Sequence, residues 1–318
     1  MNSFHTSIII LVLAVLIDIL FGEPPLKVHP VVWVGRLIKY LERYCHGGST
    51  QLEKIKGTMM AISVIIISIT ITYIALKIVQ SYLGLYGYII IASIIFKTTF
   101  SIRSMKDHIK PIAISYEKNN KEKAKVLLSR VVRRNPWQLT DEQIISAAIE
   151  TTAEGIVDGI TSALFYYSIL GIPGAIMQRV INTLDSMVGY KDEYYKNVGW
   201  FSAKLDTIIN FIPARLTAIT IVLASLILKK DYKLSFKIAL TDHKNTESLN
   251  AGWPMSAMAG ALRIQLEKPG HYKLGIPMQK LKPELIYDAL NIMYTSTTLF
   301  IITIIIPILI LFNIYLFL

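Results

Sequence analysis

The sequence predicts an all-α, polytopic integral membrane protein with long cytoplasmic helical loops. Three observations carry that expectation. The 318 residues are 53% hydrophobic and only 17% charged, against roughly 25% charge in an average globular chain, and mean hydropathy is +0.48. The apolar residues arrive in blocks rather than spread along the chain as a soluble core needs. The formal net charge of +11 gathers between those blocks, as it does in cytoplasmic loops, because Lys and Arg resist translocation. This composition excludes a disordered chain and an ordinary soluble enzyme. Nucleic-acid binding is not expected, since the membrane accounts for the basic surplus. The single cysteine, Cys45, excludes a disulfide framework and a cysteine-only metal site.

A helix rises about 1.5 Å per residue, so roughly 20 apolar residues cross the hydrocarbon core. By that measure residues 1–318 form one membrane-embedded domain with spans near 8–22, 57–79, 85–100, 208–228 and 298–318. The first lacks a basic leader and a cleavage site, and reads as a retained anchor with its N-terminus outside. Pro24 and Pro25 stop it. The spans at 57–79 and 85–100 form a hairpin. Residues 160–177 are interrupted by Gly171, Pro173 and Gly174, and are expected either to span or to be re-entrant.

Polar loops fill the intervals 23–56, 101–158, 178–206 and 229–295. The first carries six bases against three acids, residues 101–150 carry ten against six, and 229–295 carry ten against six. These three are expected in the cytoplasm by the positive-inside rule. The loop 178–206 is nearly neutral, so charge does not orient it. Residues 114–134 form a basic helix-like segment suited to anionic headgroups.

No Walker A motif, no G-x-G-x-x-G after a strand, no H-E-x-x-H and no paired C-x-x-C occurs. Chemistry must therefore come from other polar clusters. Asp18 lies inside an apolar run, where a carboxylate is costly, and is followed by Glu23, Pro24, Pro25 and His29. The residue before a proline is pushed out of the helical region, so His29 is expected on an irregular loop at the membrane surface. Thr140 and Gln143 make a capping-box signature. Downstream, Glu150, Glu154 and Asp158 recur every four residues and share a helix face if the helix continues through Gly155. Like charges at that spacing repel. A divalent cation would offset the repulsion, and Mg²⁺ favours one or two carboxylates with substrate phosphates; an acidic face answering the preceding basic helix is the plainer alternative. Asn182, Asp185 and Lys191 surround a small polar segment beside Gly189. Arg215 offers a planar fork of donors, or snorkels to the interface. Asn250 and Trp253 precede a run of small residues, Trp253 being either an aromatic-belt anchor or a flat face for a planar ligand.

These clusters, in this order, resemble the adenosylcobinamide-phosphate synthase family of cobalamin biosynthesis. The matching stretches are DILFGEPP with HPVVWVGRLI, ETTAEGIVDGITSALFYY, GIPGAIMQRVINTLDSMVGYK, FIPARLTA and NAGWPMSAMAGAL, reaching from Asp18 to Leu262. The chain departs from the family's pattern at Glu23, Asn135, Gly155 and Ala163. The resemblance implies a membrane-bound amide ligase at the cell membrane, its active site facing the cytoplasm. ATP and Mg²⁺ are implied as cofactors, with adenosylcobyric acid and aminopropanol phosphate (or a related amino-alcohol) as substrates. It implies Glu150, Glu154, Asp158 and Asp185 as catalytic, the first three also as Mg²⁺ ligands. His29, Arg134, Asn182, Lys191, Arg215, Asn250 and Trp253 are implied as substrate-binding. Two rival readings of the same architecture are a polytopic transporter of a corrinoid or other anion, and a membrane phosphotransferase.

Overall fold

Helices dominate the computed structural model, which describes residues 3–315. In chain order they are α1 (Ser3–Phe21), α2 (Pro30–Glu42), α3 (Thr50–Lys97), α4 (Ile102–Glu117), α5 (Lys121–Leu128), α6 (Asp141–Ile156), α7 (Ser162–Val188), α8 (Trp200–Ile209), α9 (Phe211–Ile227), α10 (Tyr232–Asp242), α11 (Gly252–Ala261), α12 (Glu284–Phe300) and α13 (Ile306–Tyr315). A π-helical turn, Val157–Thr161, joins α6 to α7, and another, Ile301–Ile305, joins α12 to α13. Three helical stretches, Thr50–Glu117, Asp141–Val188 and Glu284–Phe312, contain a segment long and apolar enough to cross a membrane; the helices flanking Asn210 make a fourth if taken as one span. The expected span at 298–318 begins within α12, and its last three residues lie outside the described ones.

The chain divides into two compact units. The first comprises Met1–Ser101, Ser162–Ile209 and Ile305–Leu318; the second comprises Ile102–Thr161 and Asn210–Ile304. In the first unit α3 is two helices in one. Gly84 has φ +63° and ψ −162°, a region essentially restricted to glycine. A straight helix would hold Ile71 and Ile95 about 36 Å apart at 1.5 Å per residue, yet both line one cavity. The chain therefore folds back at Gly84. Gly171 repeats the device, with φ +65° and ψ −154°. A Cβ added at Gly174 would collide with the Tyr166 carbonyl eight residues earlier, so α7 also reverses on itself.

The core of this unit joins Leu11 and Ala14 of α1, Val64 and Phe96 of α3, and Leu164 and Leu184 of α7. Phe96 stacks on Tyr167 at 3.9 Å between centroids, and the Tyr167 hydroxyl donates to the Ser7 carbonyl at 2.8 Å. Outward, α3 exposes Ile62, Ile66, Ile71, Ile74 and Ile78, a face suited to lipid. Its Ser68 and Thr72 donate to carbonyls four residues back, so their hydroxyls need no other partner.

The second unit replaces much of what reads as loop with packed structure. Ile109 and Ile112 of α4, Ile144 and Ile149 of α6, Met258 of α11 and Ile286 of α12 are fully buried. The Thr140 capping box forms: its hydroxyl accepts from Gln143 N–H, and Gln143 Oε1 accepts from Thr140 N–H. The expectation of an all-helical chain needs one correction. Gln265–Lys268 (β1) and Tyr272–Gly275 (β2) pair antiparallel, Lys268 opposite Tyr272, with Pro269, Gly270 and His271 forming the turn between them.

Candidate functional site

Two polar clusters stand out, one in each unit. In the first, Lys97 closes the second arm of α3 with its ammonium 2.6 Å from Glu23 and 3.3 Å from Asp18. Asp18 is fully buried and Lys97 is 2% exposed. The cation thus explains how a carboxylate survives inside an apolar helix. His29 Nε2 lies 3.0 Å from Glu23 Oε2, while His29 Nδ1 accepts from Val31 N–H at 3.2 Å and caps α2. An Nδ1 that accepts leaves the proton on Nε2, directed at Glu23. Both ring nitrogens are then occupied. Burial pushes the Glu23 carboxyl up, but hydrogen bonds from His29 and Lys97, with the Lys97 charge, outweigh it and hold the group below the usual carboxylate range. Lys97 was not among the residues singled out by sequence. Its signal was being the lone cation at the end of the apolar run Tyr88–Phe96.

The same unit holds Asn182 and Asp185 on the returning arm of α7, both half-buried, and Lys191, exposed in the following segment. The Asp185 carbonyl accepts from Gly189 N–H at 2.8 Å.

The second unit gathers Arg134, Glu150, Glu154, Asp158, Arg215, Asn250 and Trp253. Glu150, on α6, is buried. Its Oε1 is 3.0 Å from Arg134 Nη2 and accepts from the Ser146 hydroxyl at 2.6 Å. Its Oε2 accepts from the Tyr272 hydroxyl at 2.7 Å. Ser146 Oγ in turn accepts Glu267 N–H at 2.9 Å, Arg134 Nη1 donates to the Glu267 carbonyl at 3.2 Å, and Gln143 Nε2 donates to Glu267 Oε1 at 2.9 Å. The hairpin β1–β2 is thereby fastened over α6. Burial, and the Glu150 carboxylate beside it, push the Tyr272 phenol far above its ordinary value, so it remains a donor.

One turn along α6, Glu154 is exposed. It lines a cavity of about 170 Å³ with Glu247, Ser248, Lys268, His271 and Tyr272 among its walls. Asp158 follows within the π-helical turn, where the i to i+5 pattern breaks the four-residue register assumed for a common face. Among the described residues, no three His, Cys, Asp or Glu side chains converge as a metal-holding group. Elsewhere in this unit, Trp253 stacks on His243 at 3.9 Å. The Arg215 guanidinium lies 5.1 Å from the Trp253 ring and 3.4 Å from Phe211, with Nη1 3.5 Å from Asn250 Oδ1. Arg215, Asn250 and Trp253 are therefore one group, a convergence of Arg215 with the Asn250–Trp253 segment that the sequence did not announce. Sequence reasoning missed Ser146, Glu267, Lys268, His271 and Tyr272. The Pro269-Gly270 turn between two short segments was the available signal for them.

Helices long and apolar enough to cross a membrane, with a buried lysine–carboxylate pair tying one of them to the shorter apolar helix α1, mark a helical protein of the membrane-spanning class. Comparison with known proteins makes that class specific. The model of the CobD/Cbib protein family matches residues 11–293. The chain is 42% identical to the probable cobalamin biosynthesis protein CobD of Methanothermobacter thermautotrophicus, over 93% of this chain and 96% of that protein. It is 45% identical to the protein of the same description from Thermoplasma acidophilum, over 83% and 85%, and 37% identical to the cobalamin biosynthesis protein CobD of Dehalococcoides mccartyi, over 88% and 90%. No solved structure matches the chain. The chain belongs to the CobD/Cbib family, which gives it a role in cobalamin biosynthesis.

Proposed function

We propose that the chain is an ATP-dependent ligase that joins a carboxylate of adenosylcobyric acid to the amine of aminopropanol phosphate, or a related amino-alcohol, giving adenosylcobinamide phosphate. The observation that carries this reading is the cavity beside Glu154. It sets carboxylates, Glu154 and Glu247, in the same small volume as Lys268 and His271. An amino-alcohol phosphate has an ammonium at one end and a phosphate at the other, so walls of both signs suit it. The volume suits a small molecule and is far too small for a corrin.

A carboxylate and an amine do not condense usefully at neutral pH. ATP with Mg²⁺ would supply the activation, its γ-phosphoryl group passing to the carboxylate to give an acyl phosphate with ADP as the leaving group. The residues suit a Mg²⁺ carried in on nucleotide phosphates, with Glu154 as its single protein carboxylate, better than a preformed site of Glu150, Glu154 and Asp158. Glu154 is also placed to take a proton from the substrate's ammonium, freeing the amine that attacks the acyl phosphate and expels inorganic phosphate. Glu150 is already committed to Arg134, Ser146 and Tyr272, and serves to position Arg134 and the hairpin bearing Lys268, His271 and Tyr272. Use of ATP places the reaction on the cytoplasmic side of the cell membrane.

Mass spectrometry of the purified protein with adenosylcobyric acid, aminopropanol phosphate, Mg²⁺ and ATP tests this directly. Product with all four components, and none when any one is omitted, supports the ligase. Corrinoid uptake into vesicles without nucleotide cleavage would instead support a carrier. Glu154→Gln is expected to lower turnover by about 10²–10⁴-fold, the usual worth of a positioned acid or base, with the fold intact.

A further inference from the structure

Immediately after the apolar helix α9, the second unit presents a surface that the proposed chemistry does not use. Helix α9 leaves Ile212, Ile219, Leu223 and Ile227 exposed, a stripe at helical spacing that needs a bilayer to cover it. The chain then enters α10, which has two unlike faces. Ser235, Ile238 and Ala239 are buried, with the Ser235 hydroxyl donating to the Ala257 carbonyl at 2.8 Å. On the other face Tyr232, Phe236 and Leu240 stand 37%, 54% and 49% exposed. Their spacing of four residues aligns them in one row. Lys233 and Lys237, each one residue further on, are exposed beside that row. An apolar row flanked by lysines is the pattern of a helix lying in the headgroup region, the lysine stems snorkelling back to the phosphates.

At the start of this helix lies a cavity of about 400 Å³, bordered by Lys229, Lys230, Lys233 and Arg263 and by only two acids, Asp231 and Asp288. Lys230 pairs with Asp288 at 2.7 Å, and Arg263 with Asp231 at 3.3 Å. Among the described residues, Lys229 and Lys233 are left as the uncompensated charges of the cavity. We propose that α10 is an interfacial helix, and that this cavity seats the phosphate of an anionic phospholipid whose chains run along the exposed face of α9. Bilayer contact on α9, a row of apolar side chains in the next helix and two spare positive charges at the junction all select one occupant. It needs an anionic head and acyl chains together. A basic pocket bordering a membrane helix is where such headgroups bind. The inference does not depend on the ligase reading.

Native mass spectrometry of the full-length protein in detergent, with dioleoyl phosphatidylglycerol or dioleoyl phosphatidylcholine as probe, tests the headgroup. The wild type is expected to retain the anionic lipid about 30-fold more tightly, the worth of two lysines near an anionic surface, and Lys229→Gln with Lys233→Gln should remove that preference. An undiminished preference for phosphatidylglycerol in the double variant overturns the proposal. So does displacement of the lipid by inorganic phosphate, which would make this a site for a soluble phosphate compound. A spin label at Phe236→Cys, read in nanodiscs, keeps the test independent of the lysine variants. Relaxation mainly by oxygen places α10 in the interface as expected. Relaxation mainly by a water-soluble nickel chelate overturns it, as does shielding from both agents in a dimer, which would put a second copy on this face.

Discussion

Lys97 shows how a single side chain sets the terms for its surroundings. Asp18 and Glu23 both depend on it, and removing one partner of a buried pair leaves an uncompensated charge. Lys97→Met is expected to cost about 3–5 kcal/mol in denaturation in detergent. Adding Asp18→Asn should recover part of that loss, because the orphaned carboxylate is then gone. Glu23 adds a pH dependence. Its folded-state pKa lies below the ordinary value of 4.5, so the unfolded chain holds the proton more tightly. The stabilisation is complete above that ordinary value and fades as pH falls through the lower, folded-state one. Thermal melts should therefore show wild type and Glu23→Gln converging in acid, with the wild type ahead at neutral pH. Tyr272 makes the matching case in the other cluster. Tyr272→Phe removes a hydrogen bond to a buried carboxylate and should cost about 1.5–3 kcal/mol. Because Tyr272 also lines the small cavity, turnover of the proposed ligation should fall with it.

At the scale of elements, Gly84 and Gly171 carry the topology. Each holds a backbone conformation that costs other residues about 1–3 kcal/mol. Nothing lies within 4 Å of a Cβ at Gly84, so Gly84→Ala should register that backbone cost alone, as a lowered melting temperature. Much of this level was legible in the sequence. The apolar blocks predicted the helices, Thr140 and Gln143 predicted the start of α6, and Gly171 with Pro173 predicted the break in α7. What escaped was set by tertiary contacts. The stretches 101–158 and 229–295 are too polar to announce a core, yet isolated residues such as Ile109, Ile144 and Ile286 build one. The strands Gln265–Lys268 and Tyr272–Gly275 are too short for an alternating pattern to rise above their surroundings. Among the candidate site residues, Arg215, Asn250 and Trp253 come together as a group. The partners of Glu150 were not legible, because Ser146 and Tyr272 are ordinary residues whose role comes only from where the hairpin lands.

For the whole molecule, the proposed use of ATP makes a statement about sidedness. Glu193, exposed between Asp192 and Tyr194, offers a probe, since the native Cys45 is buried. In intact cells, Glu193→Cys is expected to resist an impermeant maleimide until the membrane is opened. Labelling from outside would separate Asn182, Asp185 and Lys191 from any cytoplasmic reaction. The one-residue reversals have a further consequence for how such a chain can vary. A longer connection would absorb an added residue as slack; a lone glycine has none to give. Each residue inserted between Gly84 and Lys97 would swing the lysine by about 100° around its helix, carrying its ammonium off Asp18 and Glu23. Length in this arm is therefore fixed as firmly as identity, and insertions are excluded where many substitutions on the lipid-facing side would pass unnoticed.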